Sequence, residues 1–289
     1  MAAGNTRRNP ALQALCRLGV ALCLLGSVTI GIALLDGCGG TPGEEETDAM
    51  AEPEEAADTR IVDRLAAGDA VFGLFSGDHT PEAGAAMAAN RPLDFVFYSL
   101  ESGPFDIPAL EGYADGMSEA SGHMMPHPML LRIPPVRDGH DEARDRAAQG
   151  LAAGVSGIVY PHVETAEEAA LAVDALGDAA WPGNPDGHLI SFLLIEDQVG
   201  IDNVREIVST PGVSAVSPGP GDLRRVYDGD MEKVEEAIQI VLAACLEFDV
   251  PCGVTAGVDD IAMRIEQGFR VFIVTQPEAV ALGMSAAGR

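Results

Sequence analysis

The stretch GIVYPHVETAEEAALAVDAL, residues 157–176, holds one copy of the pattern that decides the fold. It opens with a short apolar run suited to a buried strand, passes through a polar turn, and ends in an Ala-rich, helix-favouring segment. The unit recurs along the chain. Strands are predicted at VFGLF (71–75), DFVFYS (94–99), MLLRI (129–133) and GIVYP (157–161). Four more follow at LISFLLIE (189–196), VSAVS (213–217), PCGVT (251–255) and RVFIV (270–274). Helical patterns fall between them, among them TPEAGAAMAAN, DEARDRAAQGLAAG, GDMEKVEEAIQIVLAACLEF and DDIAMRIEQG. Eight such units over about 220 residues match the size and rhythm of an α/β fold, the (β/α)8 TIM barrel. The runner-up is a doubly wound open sheet. It usually carries a phosphate-binding glycine fingerprint after its first strand, and FSGDHTPE (75–82) is not one.

Composition narrows the partners. The chain has 289 residues with 45 acids against 17 bases, a formal net charge of -28. Nucleic acid and anionic membrane surfaces would be repelled, whereas a salty or extracytoplasmic milieu suits such a surface. Cys245 and Cys252 are near enough in sequence for a disulfide in an oxidising compartment, and no cysteine spacing matches a zinc site.

Residues 1–38 read as a signal peptide or membrane anchor. Arg7, Arg8 and Arg17 precede an apolar stretch from Leu18 to Leu35. The ending LLDGCGG resembles a lipobox and marks Cys38 for lipidation, although Asp36 departs from that pattern. Residues 39–60, acidic and poor in large apolar side chains, read as a solvated linker. The barrel domain then spans 61–289. The expected location is extracytoplasmic, with membrane contact only through the N-terminal anchor.

Barrels of this kind build their sites where strands end and the following loops begin. The polar residues at those positions are Asp78 and His79, then Ser99, Glu101 and Ser102, then Arg132, then Tyr160 and His162, then Glu196 and Asp222. His123, His127 and His188 precede strands and belong to the opposite end. Glu196 directly follows an apolar run, where an unpaired carboxylate is costly. Asp222 follows the Gly/Pro-rich mouth SPGPG, residues 217–221. Two carboxylates converging on one mouth repel each other unless a cation lies between them, and oxygen donors favour Mg2+ or Mn2+. Each acid could instead pair with an arginine or cap a helix.

From about Val71 to the C-terminus the chain resembles the HpcH/HpaI aldolases, metal-dependent (class II) pyruvate aldolases with a (β/α)8 barrel. The resemblance rests on GLF (73–75), DFVFYSLES (94–102), LLRIPP (130–135), GIVYPHVETAEEA (157–169), LIE (194–196) and GPGDL (219–223) in that order. It implies that Glu196 and Asp222 bind the divalent metal and that Arg132 contacts the carbonyl or enolate of pyruvate. It also implies that the backbone of Gly221 meets the pyruvate carboxylate beside Asp222, and that Glu101 holds metal-bound water. Trimers or hexamers follow by analogy. Where the family has an Asp and a His that move protons, this chain has Ser99 and Ser102, and WPGNPDGH (181–188) is shorter than the family's insertion. His162, His79 with Asp78, and Glu101 are the candidates for a relocated base.

An aldolase stabilises its enolate through a lysine Schiff base or a metal. Lys233 is the sole lysine and lies among acids on a helix, so the metal route remains. Three functions follow. The first is aldol cleavage of a 4-hydroxy-2-oxo acid to pyruvate and an aldehyde, catalysed by Arg132 with Glu101 or His162. The second is decarboxylation of oxaloacetate on the same platform, and the third is non-catalytic binding of a small 2-oxo acid by a tethered protein.

Overall fold

A computed structural model of the chain describes residues 60–289. The expected signal or anchor (1–38), its lipidation site Cys38 and nearly all of the acidic linker (39–60) lie outside the described residues. Among the described residues no helix is long and apolar enough to cross a membrane.

The elements run α1 (Arg60–Ala66), β1 (Val71–Phe75), α2 (Pro81–Met87), β2 (Phe95–Ser99), α3 (Ile107–Ser121) and β3 (Met129–Arg132). Next come α4 (His140–Ala152), β4 (Gly157–Tyr160), α5 (Ala166–Asp174), β5 (Ala180–Trp181), β6 (Leu189–Ile195), α6 (Gln198–Asp202) and α7 (Val204–Val208). The chain closes with β7 (Ala215–Pro218), α8 (Pro220–Val226), α9 (Met231–Phe248), β8 (Gly253–Thr255), α10 (Ile261–Gln267), β9 (Val271–Val274) and α11 (Pro277–Ala286). All eight predicted strands are present within a residue or two. The two-residue β5 was not foreseen, because it sits in a Pro/Gly-rich loop and exists only by pairing with the start of β6.

Every strand pairing is parallel, and the sheet curls into a TIM-barrel-like form. β1 pairs with β2 on one side and β9 on the other, β2 with β3, β3 with β4, and β4 with β6. β7 joins β6, β8 joins β9, and a bridge between Val216 and Cys252 links β7 to the segment entering β8.

Alternation along the strands sorts the apolar side chains into two layers. Phe95, Phe97, Leu130, Val159, Phe192, Leu194 and Ile273 form an inner cluster, and Ile61, Val62 and Leu65 of α1 pack into it. Val96, Tyr98, Leu131, Tyr160, Leu193 and Ile195 form the layer under the outer helices. Gly73 on β1 makes the inner packing feasible, since a Cβ there would lie 2.0 Å from the ring of Phe95.

The helices start where local chemistry allows. In the opening stretch, Thr165 accepts a hydrogen bond from the Glu168 backbone at 3.2 Å, and Glu168 accepts one from the Thr165 backbone at 3.1 Å. That reciprocal cap fixes the start of α5 and so the length of the loop carrying His162. Cys245 and Cys252 are buried and free rather than bonded. Burial pushes the Cys252 thiol up, and its hydrogen bond with Cys245 adds to the rise.

Candidate functional site

The same alternation that places Phe97, Leu130 and Leu194 inside sends Ser99, Arg132 and Glu196 inward two residues later, at the strand exits. Ser99 and Arg132 are register partners on β2 and β3. The Arg132 Nε donates to Ser99 Oγ at 2.9 Å, and Arg132 Nη2 pairs with Glu101 Oε2 at 3.0 Å. The guanidinium carbon lies 5.3 Å from the centre of the Phe97 ring. Three sides of Arg132 are thereby fixed, and its Nη1 makes no hydrogen bond among the described residues.

Glu196 is the buried centre of the site, with a relative exposure of 2 %. Its Oε2 accepts from the backbone N–H of His162 at 3.2 Å. Burial pushes its carboxyl up to about 7; His162 opposes the rise, Asp222 and Glu101 add to it, and Arg132 opposes it. Taking a carboxylate out of water disfavours its charge, and acidic neighbours compound the effect. The negative potential is therefore short of a cation, which is the condition a divalent ion would satisfy.

His162 is brought into the site by backbone and ring together. Its φ of 54° is a left-handed conformation uncommon for a non-glycine residue. Its Nε2 lies 3.8 Å from Glu196 Oε2 and 3.9 Å from Glu101 Oε1, while Nδ1 is 2.8 Å from Asp197 Oδ2. Glu101, His162 and Glu196 each offer a donor atom within 4.8 Å of the others, a group able to hold a metal ion.

Asp222, the other expected ligand, is not one of these three. It stands in the first turn of α8, and its Oδ1 is ion-paired with Arg225. It is close enough to raise the Glu196 carboxyl. Gly221 beside it is exposed, and no atom would meet a Cβ there within 4 Å, so a ligand has open access to that backbone. Gly219 has the opposite role: a Cβ there would lie 2.2 Å from Glu196 Oε1.

Other expected positions fall elsewhere. Tyr160 belongs to the layer under the helices, because it alternates with inward-facing Val159. The His79 ring stacks on Tyr98 of that same layer, 4.1 Å between centres. Ser102 is exposed. At the opposite end of the strands His127 is buried and His123 exposed. Lys233 is ion-paired with Asp230 on the surface of α9.

Two residues at the site escaped the sequence. Asp197 holds the His162 ring, and Arg137 holds Asp197, with Nη1 2.9 Å from its Oδ2 and 3.0 Å from Glu164 Oε1. Asp197 follows Glu196 directly and stands at the start of α6, where an aspartate reads as a helix cap. Its side chain makes no such cap here. No sequence pattern singles out Arg137.

A parallel, TIM-barrel-like sheet gathers carboxylates, an imidazole and an arginine at its strand exits, the face at which barrels of this kind build their sites. The chain belongs to the HpcH/HpaI aldolase/citrate lyase family, whose model matches residues 73–283. It is 27 % identical over 219 residues to the hydroxypyruvate/pyruvate aldolase of Delftia acidovorans, covering 67 % of this chain and 77 % of that protein. Further curated relatives are matched over 56–62 % of their lengths. Among solved structures, a family member from Burkholderia cenocepacia superposes with a TM-score of 0.64 at 23 % identity, covering 80 % of this chain and 98 % of that one. A citrate lyase β subunit from M. tuberculosis, complexed with oxaloacetate and magnesium, gives 0.55 at 19 % identity, covering 77 % and 99 %. At these identities the two structures speak for the fold alone.

Proposed function

We propose that this chain is a metal-dependent carbon–carbon lyase that cleaves a 4-hydroxy-2-oxo acid into pyruvate and an aldehyde on a (β/α)8 barrel. The observation that carries the reading is the buried, charge-starved Glu196 carboxylate beside an arginine with one free edge at the strand exits. Family membership and the aldolase relative support it.

Glu196 and Asp222 would hold the divalent ion, Mg2+ or Mn2+, once Asp222 leaves Arg225. When bound, such an ion supplies Lewis-acid polarisation of the 2-oxo carbonyl. Arg132 directs its open edge at that oxygen, and the backbone at Gly221 is open to the substrate carboxylate. A base takes the proton of the C4 hydroxyl, the C3–C4 bond breaks, and its electron pair passes to the C2 oxygen as the aldehyde leaves. The resulting enolate, stabilised by Arg132, takes a proton at C3 to give pyruvate. Glu101, ion-paired with Arg132, and His162, next to Glu101, are the proton-accepting groups.

Oxaloacetate decarboxylation is the second reading, favoured by one observation. Ser99 and Ser102, which stand where the family carries its proton-moving pair, are respectively committed to Arg132 and turned to solvent. Loss of carbon dioxide needs no hydroxyl proton removed, so it survives without that pair.

A pyruvate-release assay with Mn2+ separates the readings. Release from 4-hydroxy-2-oxo acids supports the lyase, release from oxaloacetate alone supports the decarboxylase, and binding of oxalate without either supports a non-catalytic receptor. Gly219→Ala offers a structural check. The added methyl forces Glu196 aside, and divalent-ion affinity measured by calorimetry should fall by about 10–100-fold, as for lost support of a metal ligand. Unchanged affinity would show that Glu196 needs no such seat.

A further inference from the structure

Two features of His162 are left unexplained by a role as a loop histidine. Its backbone adopts a left-handed conformation, which is strained for a non-glycine residue and persists only where the surroundings hold it. Its ring is locked at Nδ1 by Asp197, itself gripped by Arg137, while Nε2 is aimed between two glutamates. A carboxylate on one ring nitrogen with the other facing anionic oxygens is the arrangement that fixes a metal-ligating imidazole. The carboxylate accepts from Nδ1–H and so turns Nε2 toward the two glutamates, where a bound ion would take it as a donor.

We propose that His162 is a further metal ligand: its Nε2, with Glu101 and Glu196 and with Asp222 once it leaves Arg225, forms a mixed nitrogen–oxygen site that prefers late first-row divalent ions over magnesium. The spacing suits this. Nε2 lies 3.8 and 3.9 Å from the two glutamates, and one donor atom from each of the three residues lies within 4.8 Å of the others, near enough for one ion to span them. Each glutamate keeps its second oxygen for another task. Glu101 Oε2 holds Arg132, and Glu196 Oε1 is seated on Gly219. Imidazole binds Co2+ and Zn2+ far better than it binds Mg2+, whose preferred partners are oxygens. Asp197 and Arg137 are positioning residues, acting only through the ring.

The inference rests on the metal-dependent reading above, and with Glu101 and His162 both holding the ion it leaves proton transfer to solvent water or to a reaction needing no base. Its test is pulsed EPR on the untagged full chain loaded with Mn2+, together with calorimetric titration of Co2+ and Mg2+. The Mn2+ spectrum is expected to show 14N coupling from one imidazole. His162→Asn tolerates the left-handed backbone and should remove that coupling. It should weaken Co2+ at least about 100-fold while moving Mg2+ less than about threefold. Asp197→Asn should keep the coupling and weaken Co2+ about 10–100-fold, with thermal melting confirming that both variants fold. Mn2+ bound to the native chain without nitrogen coupling, yet lost in Glu196→Gln, overturns the role of His162 and leaves the lyase reading intact. Failure of the native chain to bind any divalent ion overturns both.

Discussion

Glu196→Gln should abolish divalent-ion binding and lower turnover by about a thousandfold, the equivalent of roughly 4 kcal/mol of lost charge stabilisation. The side chain keeps its size and its acceptor oxygen for the His162 backbone, so the loss reports charge rather than packing. Calorimetry with Mn2+ and the pyruvate-release assay measure the two effects. A variant binding Mn2+ within threefold of the native chain would remove Glu196 from the metal site.

The same substitution has a second signature in the metal-free protein. Folded Glu196 holds its proton up to about pH 7, against an ordinary value of 4.5. Between those values the native state binds a proton the unfolded chain has released, so the stability this group contributes is full below pH 4.5. It is lost as pH rises through 7. Denaturant titrations should therefore show native and variant stabilities diverging across that window by on the order of 3 kcal/mol, with the glutamine form the more stable at pH 8. Added Mn2+ should reverse the order by stabilising only the native chain.

Arg132→Lys should lower kcat/KM by about 100–1,000-fold, the scale seen when one preorganised donor at a developing oxyanion is removed. Lysine keeps the charge but loses the planar fork that holds Ser99 and Glu101 together while presenting a free edge. Metal affinity should fall much less, by no more than about tenfold, because Arg132 bears on the metal site only by orienting Glu101 through its Oε2. Steady-state kinetics alongside the Mn2+ titration separate the two. A fall in affinity that matches the fall in kcat/KM would make Arg132 a support for the metal rather than a holder of the enolate.

The sequence already carried much of this. Repeats of an apolar run, a polar turn and an Ala-rich stretch locate the strands and their exits, since burial on both faces of a parallel sheet demands continuous apolar runs. That is why Glu196, one residue beyond such a run, was visible as a buried acid. Tyr160 and His79 stand at strand exits yet turn away from the site for the complementary reason. A strand-end residue points inward or toward the helices according to a two-residue alternation, and the loop after β1 swings its histidine onto Tyr98. Asp197 and Arg137 were hidden because their chemistry exists only in a contact between separate loops.

From the residues alone came the strand–helix rhythm, the family and the identities of Glu101, Arg132, His162, Glu196 and Asp222 as polar groups at one face. These are local properties, set by hydrophobic periodicity and residue type within a few positions. Only the tertiary structure decided which of them meet. It joined Glu101 and Glu196 to His162, turned Asp222 toward Arg225, and tied the His162 ring to Asp197. The physical reason is that electrostatic neighbours a few ångströms apart come from loops up to 95 residues distant in the chain, as between Glu101 and Glu196. Their directions depend on backbone turns, such as the left-handed one at His162, that no local pattern specifies.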